Sequence, residues 1–325
     1  MTELVNQFLA ALNDESAQSP ERLEILRVLV MRVVELAELD SDTADLRLAS
    51  TALNELLEAS ELFAAWRDRP KLTVFGSART SPDSPLYEMA REFSATMAEH
   101  GWMTVSGAGP GIMEASSKGA GKDNTLGVNI DLPFEQGANR FIDVDQMHVA
   151  MTFFFTRKVA MTRASHGFVA FPGGVGTMDE LFEILTLVHT GKTDPAPIVL
   201  VDEPGGTFWS RWMAFMDEAV IDAGYLDPQD ICLFAVCNSV EDAIAEIEHF
   251  YRNYRKLSIQ GGRAVMQVLR VPSPTQLQEL IARFTTFTAG EGFRVEGENH
   301  VSFSFDGRNY VMLRQLIDVV NSWSG

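Results

Sequence analysis

Between residues 72 and 255 short apolar runs alternate with longer segments whose apolar positions recur every three or four residues. The runs at 72–76, 103–106, 126–130, 141–144, 167–171, 198–201 and 231–236 read as strands. The segments 85–100, 152–165, 178–190 and one starting at Gly111 read as helices. Strands interleaved with helices imply an α/β fold with a doubly wound parallel sheet, in which ligands sit beyond the carboxyl ends of the strands. Residues 1–69 read as helical throughout, an N-terminal extension with one apolar stripe at Leu23, Leu26, Val30, Val33 and Val34 and another at Leu46, Leu53, Leu56 and Leu57. Those stripes are expected to pack on the core or on a second subunit. Residues 256–325 break the alternation: strands at 264–270 and 300–305, helices at 275–284 and 310–322, and glycines at turns predict a small α+β appendage. The expected division is therefore 1–69, 70–255 and 256–325.

Composition narrows the function classes. At 325 residues and 46% hydrophobic content, the chain can bury a substantial core. Its formal charge of −19 argues against a nucleic-acid surface, which needs clustered Lys and Arg. A small anion can still bind in a locally positive pocket. No apolar run is long enough to span a bilayer, and Glu3, Asp14 and Glu15 occupy a start that lacks a basic secretory region, so a cytoplasmic protein is expected. Cys232 and Cys237, the two cysteines, fit that compartment and read as small buried hydrophobes. No HExxH or Cys/His cluster suggests a metal, and no Gly-x-Ser-x-Gly elbow suggests a serine hydrolase.

The stretch Pro172-Gly173-Gly174-Val175-Gly176-Thr177-Met178-Asp179-Glu180 joins a predicted strand to a predicted helix. Glycines there give φ freedom and close approach, while unpaired amides at a helix N-terminus can hold phosphate oxygens. It is neither a dinucleotide fingerprint nor a Walker phosphate loop, since no Lys follows the last glycine. It resembles the Pro-Gly-Gly-x-Gly-Thr-x-x-Glu signature of the LOG family, the phosphoribohydrolases often mislabelled lysine decarboxylases. The likeness extends to Phe154-Phe155-Thr156-Arg157-Lys158, Phe75-Gly76-Ser77-Ala78-Arg79 and Ser106-Gly107-Ala108-Gly109-Pro110-Gly111. It covers about residues 70 to 255 and implies a Rossmann-like core.

The resemblance makes Arg157 and Glu180 the catalytic pair in cleavage of the N-glycosidic bond of a purine nucleoside 5′-monophosphate, AMP or N6-substituted AMP. Physically, a carboxylate can stabilise the positive charge that develops on the ribose or activate water. The guanidinium can orient that carboxylate, bond the base or bind phosphate. Phosphate and substrate contacts are expected from Gly173, Gly174, Val175, Gly176 and Thr177, from Ser77 and Arg79 after the first strand, and from Gly107, Gly109, Gly111 and Glu114 after the second. Lys158 could add positive charge. Phe153–Phe155 and Met161 read as core or interface. No metal or redox cofactor is expected. A homodimer or higher oligomer is expected, because helices 152–165 and 178–190 carry more apolar surface than one flank of a sheet needs; dimerisation through this region is also what the resemblance implies. The rival reading is a non-catalytic carrier or sensor, similar to molybdenum-cofactor carrier proteins with the same core.

Overall fold

The computed structural model describes residues 19–39, 42–132 and 137–323. Two compact units divide at residue 57. In the first, helix α1 (Pro20–Glu38) starts at Ser19, whose hydroxyl accepts the Arg22 N–H at 3.3 Å, with Pro20 in the first turn where a missing N–H costs no bond. No residue of α1 is buried. Helix α2 (Thr43–Ala64) begins in the first unit and ends in the second, where Ala59, Leu62 and Phe63 belong to that unit's own core.

That unit alternates as its periodicity requires. In chain order it holds β1 (Lys71–Phe75), α3 (Pro85–Glu99), β2 (Met103–Ser106), α4 (Ile112–Ala120), β3 (Thr125–Ile130), β4 (His148–Met151), α5 (Phe154–Ala164), β5 (Gly167–Ala170), α6 (Val175–His189), β6 (Ile198–Val201), α7 (Phe208–Phe215), β7 (Ala235–Cys237) and α8 (Val240–Phe250). The strands form a seven-stranded parallel sheet in the order β4-β3-β2-β1-β5-β6-β7. Strands β1, β2, β5 and β6 are buried along their whole length. Both faces must therefore be covered, and the period of two divides them cleanly. Phe75, Val105, Phe168, Ala170 and Leu200 pack with Met161, Leu181, Ile184 and Trp209 on one face. Leu72, Val74, Val169, Val199 and Val201 pack with Phe93, Met97, Ile112 and Ile247 on the other.

The remaining residues add β8 (Tyr254–Gln260), β9 (Arg263–Val268), α9 (Pro274–Arg283), β10 (Phe293–Glu296), β11 (His300–Ser304) and α10 (Tyr310–Asn321). These strands form a separate antiparallel sheet, ordered β10-β11-β9-β8, over its own cluster of Tyr254, Met266, Phe284, Phe303, Leu313 and Ile317. Three local readings are corrected. Residues 141–144 form no strand: the Asp143 side chain accepts the Asp145 N–H at 3.1 Å and its carbonyl accepts the Met147 N–H at 2.8 Å, bending the segment, and the edge strand comes later as β4. In 231–236 a capping box between Asp227 and Asp230 winds a 3-10 turn over Pro228–Leu233, leaving only Ala235–Cys237 to pair. Helix α6 begins at Val175 rather than after Thr177. Both thiols are free, Cys237 buried and Cys232 half-buried. Among the described residues no helix is long and apolar enough to cross a membrane.

Candidate active site

The sheet order places a topological switch beside β1. The chain winds outward through β2, β3 and β4, then returns to pair β5 against β1 from the opposite side. Crevices open at the carboxyl ends of strands where the winding reverses. The turns after β1 and β5 flank that point, and hydrogen bonds stitch them together. The Ser77 N–H donates to the Pro172 carbonyl at 3.2 Å, and the Ile112 N–H donates to the Ser77 carbonyl at 3.1 Å, tying in the turn after β2. Gly111, with φ +69°, caps α4 directly over Ser77, where any Cβ would strike the Ser77 carbonyl and come within 2.7 Å of the Ala78 carbonyl carbon. Asn139 fixes the same turn from outside, its amide donating to the Ala108 and Gly109 carbonyls at 3.1 Å each.

A cleft of about 490 Å³ opens over this junction. Of the predicted residues, Ser77, Arg79, Gly107, Gly109, Arg157, Gly174, Val175, Gly176, Thr177 and Glu180 line it. Met113, Asn129, Ile130, Leu132, Phe154 and Asp179 line it as well, unnamed among the predicted contacts. For Asn129 and Ile130 the available signal was their place at the carboxyl end of a predicted strand. Phe154, expected in a core or interface, is half exposed at the cleft wall, whereas Met161 is buried in the core. A larger depression, about 680 Å³, lies between the end of α6 and the start of α10, lined by His189, Tyr225, Asp230, Arg308 and Tyr310; it holds none of the predicted groups.

The glycine turn works differently from the expectation of φ freedom. None of Gly173, Gly174 and Gly176 has positive φ. Gly173 is needed for closeness: a Cβ there would lie 2.7 Å from Thr177 Cβ and 3.0 Å from the Ser77 nitrogen. Gly174 is the N-cap of α6 and faces open space. No side chain caps this helix and no acid lies in its first turn, so its first amides and the positive end of its dipole meet the cleft uncompensated by its own residues.

Arg157 and Glu180 meet across the cleft. On α5 the Arg157 Nε donates to the Val128 carbonyl at 3.0 Å, and its Nη2 lies against Gly107, where a Cβ would collide with it. Its Nη1 stands 4.0 Å from Glu180 Oε1, an ion pair too long for a hydrogen bond. Both side chains are about nine-tenths buried, at 11% and 10% exposure. Burial pushes the Glu180 carboxyl above the usual carboxylate range, opposed by Arg157 and Lys158 and reinforced by Glu183 and Asp179.

Four predicted residues lie off the cleft. Gly111 packs against the Ser77 and Ala78 backbone, and Gly173 against Thr177 and the Ser77 nitrogen. Glu114 on α4 stands 4.0 Å from Arg140. The Lys158 ammonium is hydrogen-bonded to Asp179 at 2.8 Å and Glu183 at 2.6 Å. Burial alone would lower its pKa, but those two carboxylates hold it above the ordinary value. Among the described residues no cluster of three or more His, Cys, Asp or Glu could hold a metal.

A family profile described as "Possible lysine decarboxylase" matches residues 110–247. The chain is 32% identical over 173 residues to a cytokinin riboside 5′-monophosphate phosphoribohydrolase of Mycobacterium tuberculosis, covering 51% of this chain and 88% of that one. It is 29% identical over 183 residues to the enzyme of the same name from Mycobacterium marinum, covering 54% and 94%. Among solved structures, a molybdenum cofactor carrier protein from Chlamydomonas reinhardtii is 23% identical over 55% of this chain and 96% of that one, with a TM-score of 0.39. The alignment with the first relative spans most of that protein's length, and the signature turn, Arg157 and Glu180 converge on one cleft in this chain: it belongs to the LOG family.

Proposed function

We propose that this chain hydrolyses the N-glycosidic bond of a purine nucleoside 5′-monophosphate, AMP or an N6-substituted AMP, releasing free base and ribose 5-phosphate. The carrying observation is one cleft that holds both an uncapped, glycine-bounded helix N-terminus and, within the next helical turn, a buried carboxylate facing a buried guanidinium. The 5′-phosphate sits on the amides of residues 175–177, which fixes the ribose over Glu180. A water oxygen bonds to C1′ as the bond from C1′ to the base nitrogen breaks. The bonding electrons leave with the base, which gains a proton, and the water gives one up. Glu180, ionised, opposes the positive charge that grows on the ribose; its upward-shifted pKa also suits it to take the water proton.

Arg157, anchored on Val128 and Gly107, keeps that carboxylate charged and aimed. The wall of Met113, Ile130, Leu132 and Phe154 with the Asn129 amide receives the base. A lysine decarboxylase would need a lysine free to form a Schiff base. Lys158, held protonated between two carboxylates, is unsuited to that role. A second copy of the chain covers the exposed face of Phe154, Phe155, Val159 and Phe182 beside the cleft. Chromatographic assay of base release tests the reading: adenine or its N6-substituted form should appear from the 5′-monophosphates and far more slowly from the nucleosides. Nucleotide binding without any turnover would instead indicate a carrier or sensor.

A further inference from the structure

We propose that Lys158 is a positioning residue: one ammonium on α5 bridges two carboxylates on α6, offsets half their charge and so holds Glu180 in register with Arg157. The kinetic part of this inference rests on the glycosidase reading; the structural part does not. Beside Arg157 in sequence, Lys158 looks like a second cation for the substrate's phosphate. Consecutive helical residues point about 100° apart, so the turn that aims Arg157 into the cleft aims Lys158 to its flank. There its Nζ reaches Asp179 Oδ2 at 2.8 Å and Glu183 Oε2 at 2.6 Å, with the side chain only 13% exposed, and it does not line the cleft. Asp179 and Glu183 are four residues apart on one helix face, close enough for one ammonium to satisfy both.

The outcome is a two-rung ladder between adjacent helices. Arg157 faces Glu180 on the cleft rung at 4.0 Å, and Lys158 grips Asp179 and Glu183 on the outer rung. The outer rung does two things for the inner one. It pins α6 against α5 within hydrogen-bonding distance, which sets how far Glu180 stands from the guanidinium. It also offsets one of the two like charges beside Glu180. The charged groups facing Glu180 are Arg157 and Lys158 from α5 and Asp179 and Glu183 from its own helix. Without the ammonium, two uncompensated carboxylates would flank a carboxylate that burial already makes hard to ionise.

The test uses the full chain with Lys158→Met, Lys158→Arg and the triple variant Lys158→Met, Asp179→Asn, Glu183→Gln. Lys158→Met should lower kcat on AMP about tenfold, while KM and inhibition by inorganic phosphate stay within about twofold. The acid limb of its kcat/KM profile should move to higher pH. Lys158→Arg should recover most of kcat, and the triple variant should return the limb to its original position or below it, since the outer rung then carries no net charge where the wild type keeps one negative charge. Titration of the Glu180 carboxyl by carbon-13 NMR, assigned with Glu180→Gln, needs no turnover; it should move up in Lys158→Met and back in the triple variant. An unmoved titration would overturn the proposal. So would a rise in KM and weaker phosphate inhibition with kcat kept, which would make Lys158 a binding cation. A wild type that releases no base overturns the glycosidase reading alone, and the NMR titration then decides the role of Lys158.

Discussion

Two adjacent glycines should separate folding from binding. A methyl at Gly173 would sit 2.7 Å from Thr177 Cβ and 3.0 Å from the Ser77 nitrogen, and closer still to Thr177 Oγ1. Thr177 belongs to the first turn of α6, and the Ser77 N–H holds the Pro172 carbonyl at 3.2 Å, so neither neighbour retreats freely. Overpacking of this kind costs about 1–3 kcal/mol, and at about 2–4 °C per kcal/mol the Tm of Gly173→Ala should fall by about 2–12 °C. At Gly174 no atom lies within 4 Å of an added Cβ, and φ −89° with ψ −156° is backbone that alanine adopts. Gly174→Ala should therefore melt within about 1 kcal/mol of wild type, on the stable side if the narrower unfolded ensemble dominates. Its methyl stands at the mouth of the amide nest. Losing one charge-assisted phosphate bond, about 1.5–3 kcal/mol, should weaken AMP about ten- to a hundredfold and leave adenosine nearly untouched. Scanning fluorimetry and titration calorimetry with both ligands read the two effects. If Gly174→Ala keeps the full preference for AMP over adenosine, the phosphate does not sit on this turn; if Gly173→Ala melts like wild type, the close approach is not what selects glycine there.

Glu180→Gln should abolish base release while nucleotide binding persists, and near-normal turnover would remove Glu180 from the mechanism. The same variant should melt higher than wild type at pH 7–8: burial raises the folded pKa above its unfolded value, so the stabilisation from protonation is complete below that value and lost as pH rises through the folded pKa. A gap between the two melts that fails to close on acidification toward pH 4 would count against that cause. Asp202→Ala should destabilise by about 1–3 kcal/mol or more, seen as a lower urea midpoint, because the buried carboxylate accepts the N–H groups of Glu203 and Phe208 at 2.9 Å and Trp209 at 3.4 Å. Light scattering should give at least twice the 36.0 kDa chain mass, and Phe182→Glu should shift it toward one chain; a fully active 36.0 kDa particle would refute assembly through α5 and α6.

Local signals carried the site motif and little of its surroundings. The strand before the signature turn was legible because β5 is buried on both faces and so reads as an unbroken apolar run, followed by helical spacing at Leu181, Ile184 and Val188. Strands buried on one side gave weaker signals. Only Tyr254 and Leu257 of β8 are buried, with a bulge between Tyr254 and Lys256 that upsets the alternation, and only Phe293 of β10 is; neither strand was expected. The fate of Lys158 turned on a rotation of one helical position, which a sequence pattern reports as a neighbour of Arg157 and geometry reports as a partner of Asp179.

Strand order was the largest element hidden from local pattern, and it is what makes a site of these turns. Each glycine turn follows a strand, but sequence spacing does not say which strand ends are neighbours. With β1 between β2 and β5, the turns at 76–79, 107–111 and 172–177 meet around Ser77, which bonds Pro172 across ninety-five residues of chain and Ile112 across thirty-five. Had β5 added beyond β4 instead, the signature turn would lie four strands from Ser77, about 19 Å at the usual strand spacing, too far for the Ser77 N–H to reach Pro172. Family membership predicts the residues, and the return of the chain to the central strand explains why a signature late in the sequence is tied down by the backbone N–H and carbonyl of position 77, a tie that a proline there would break.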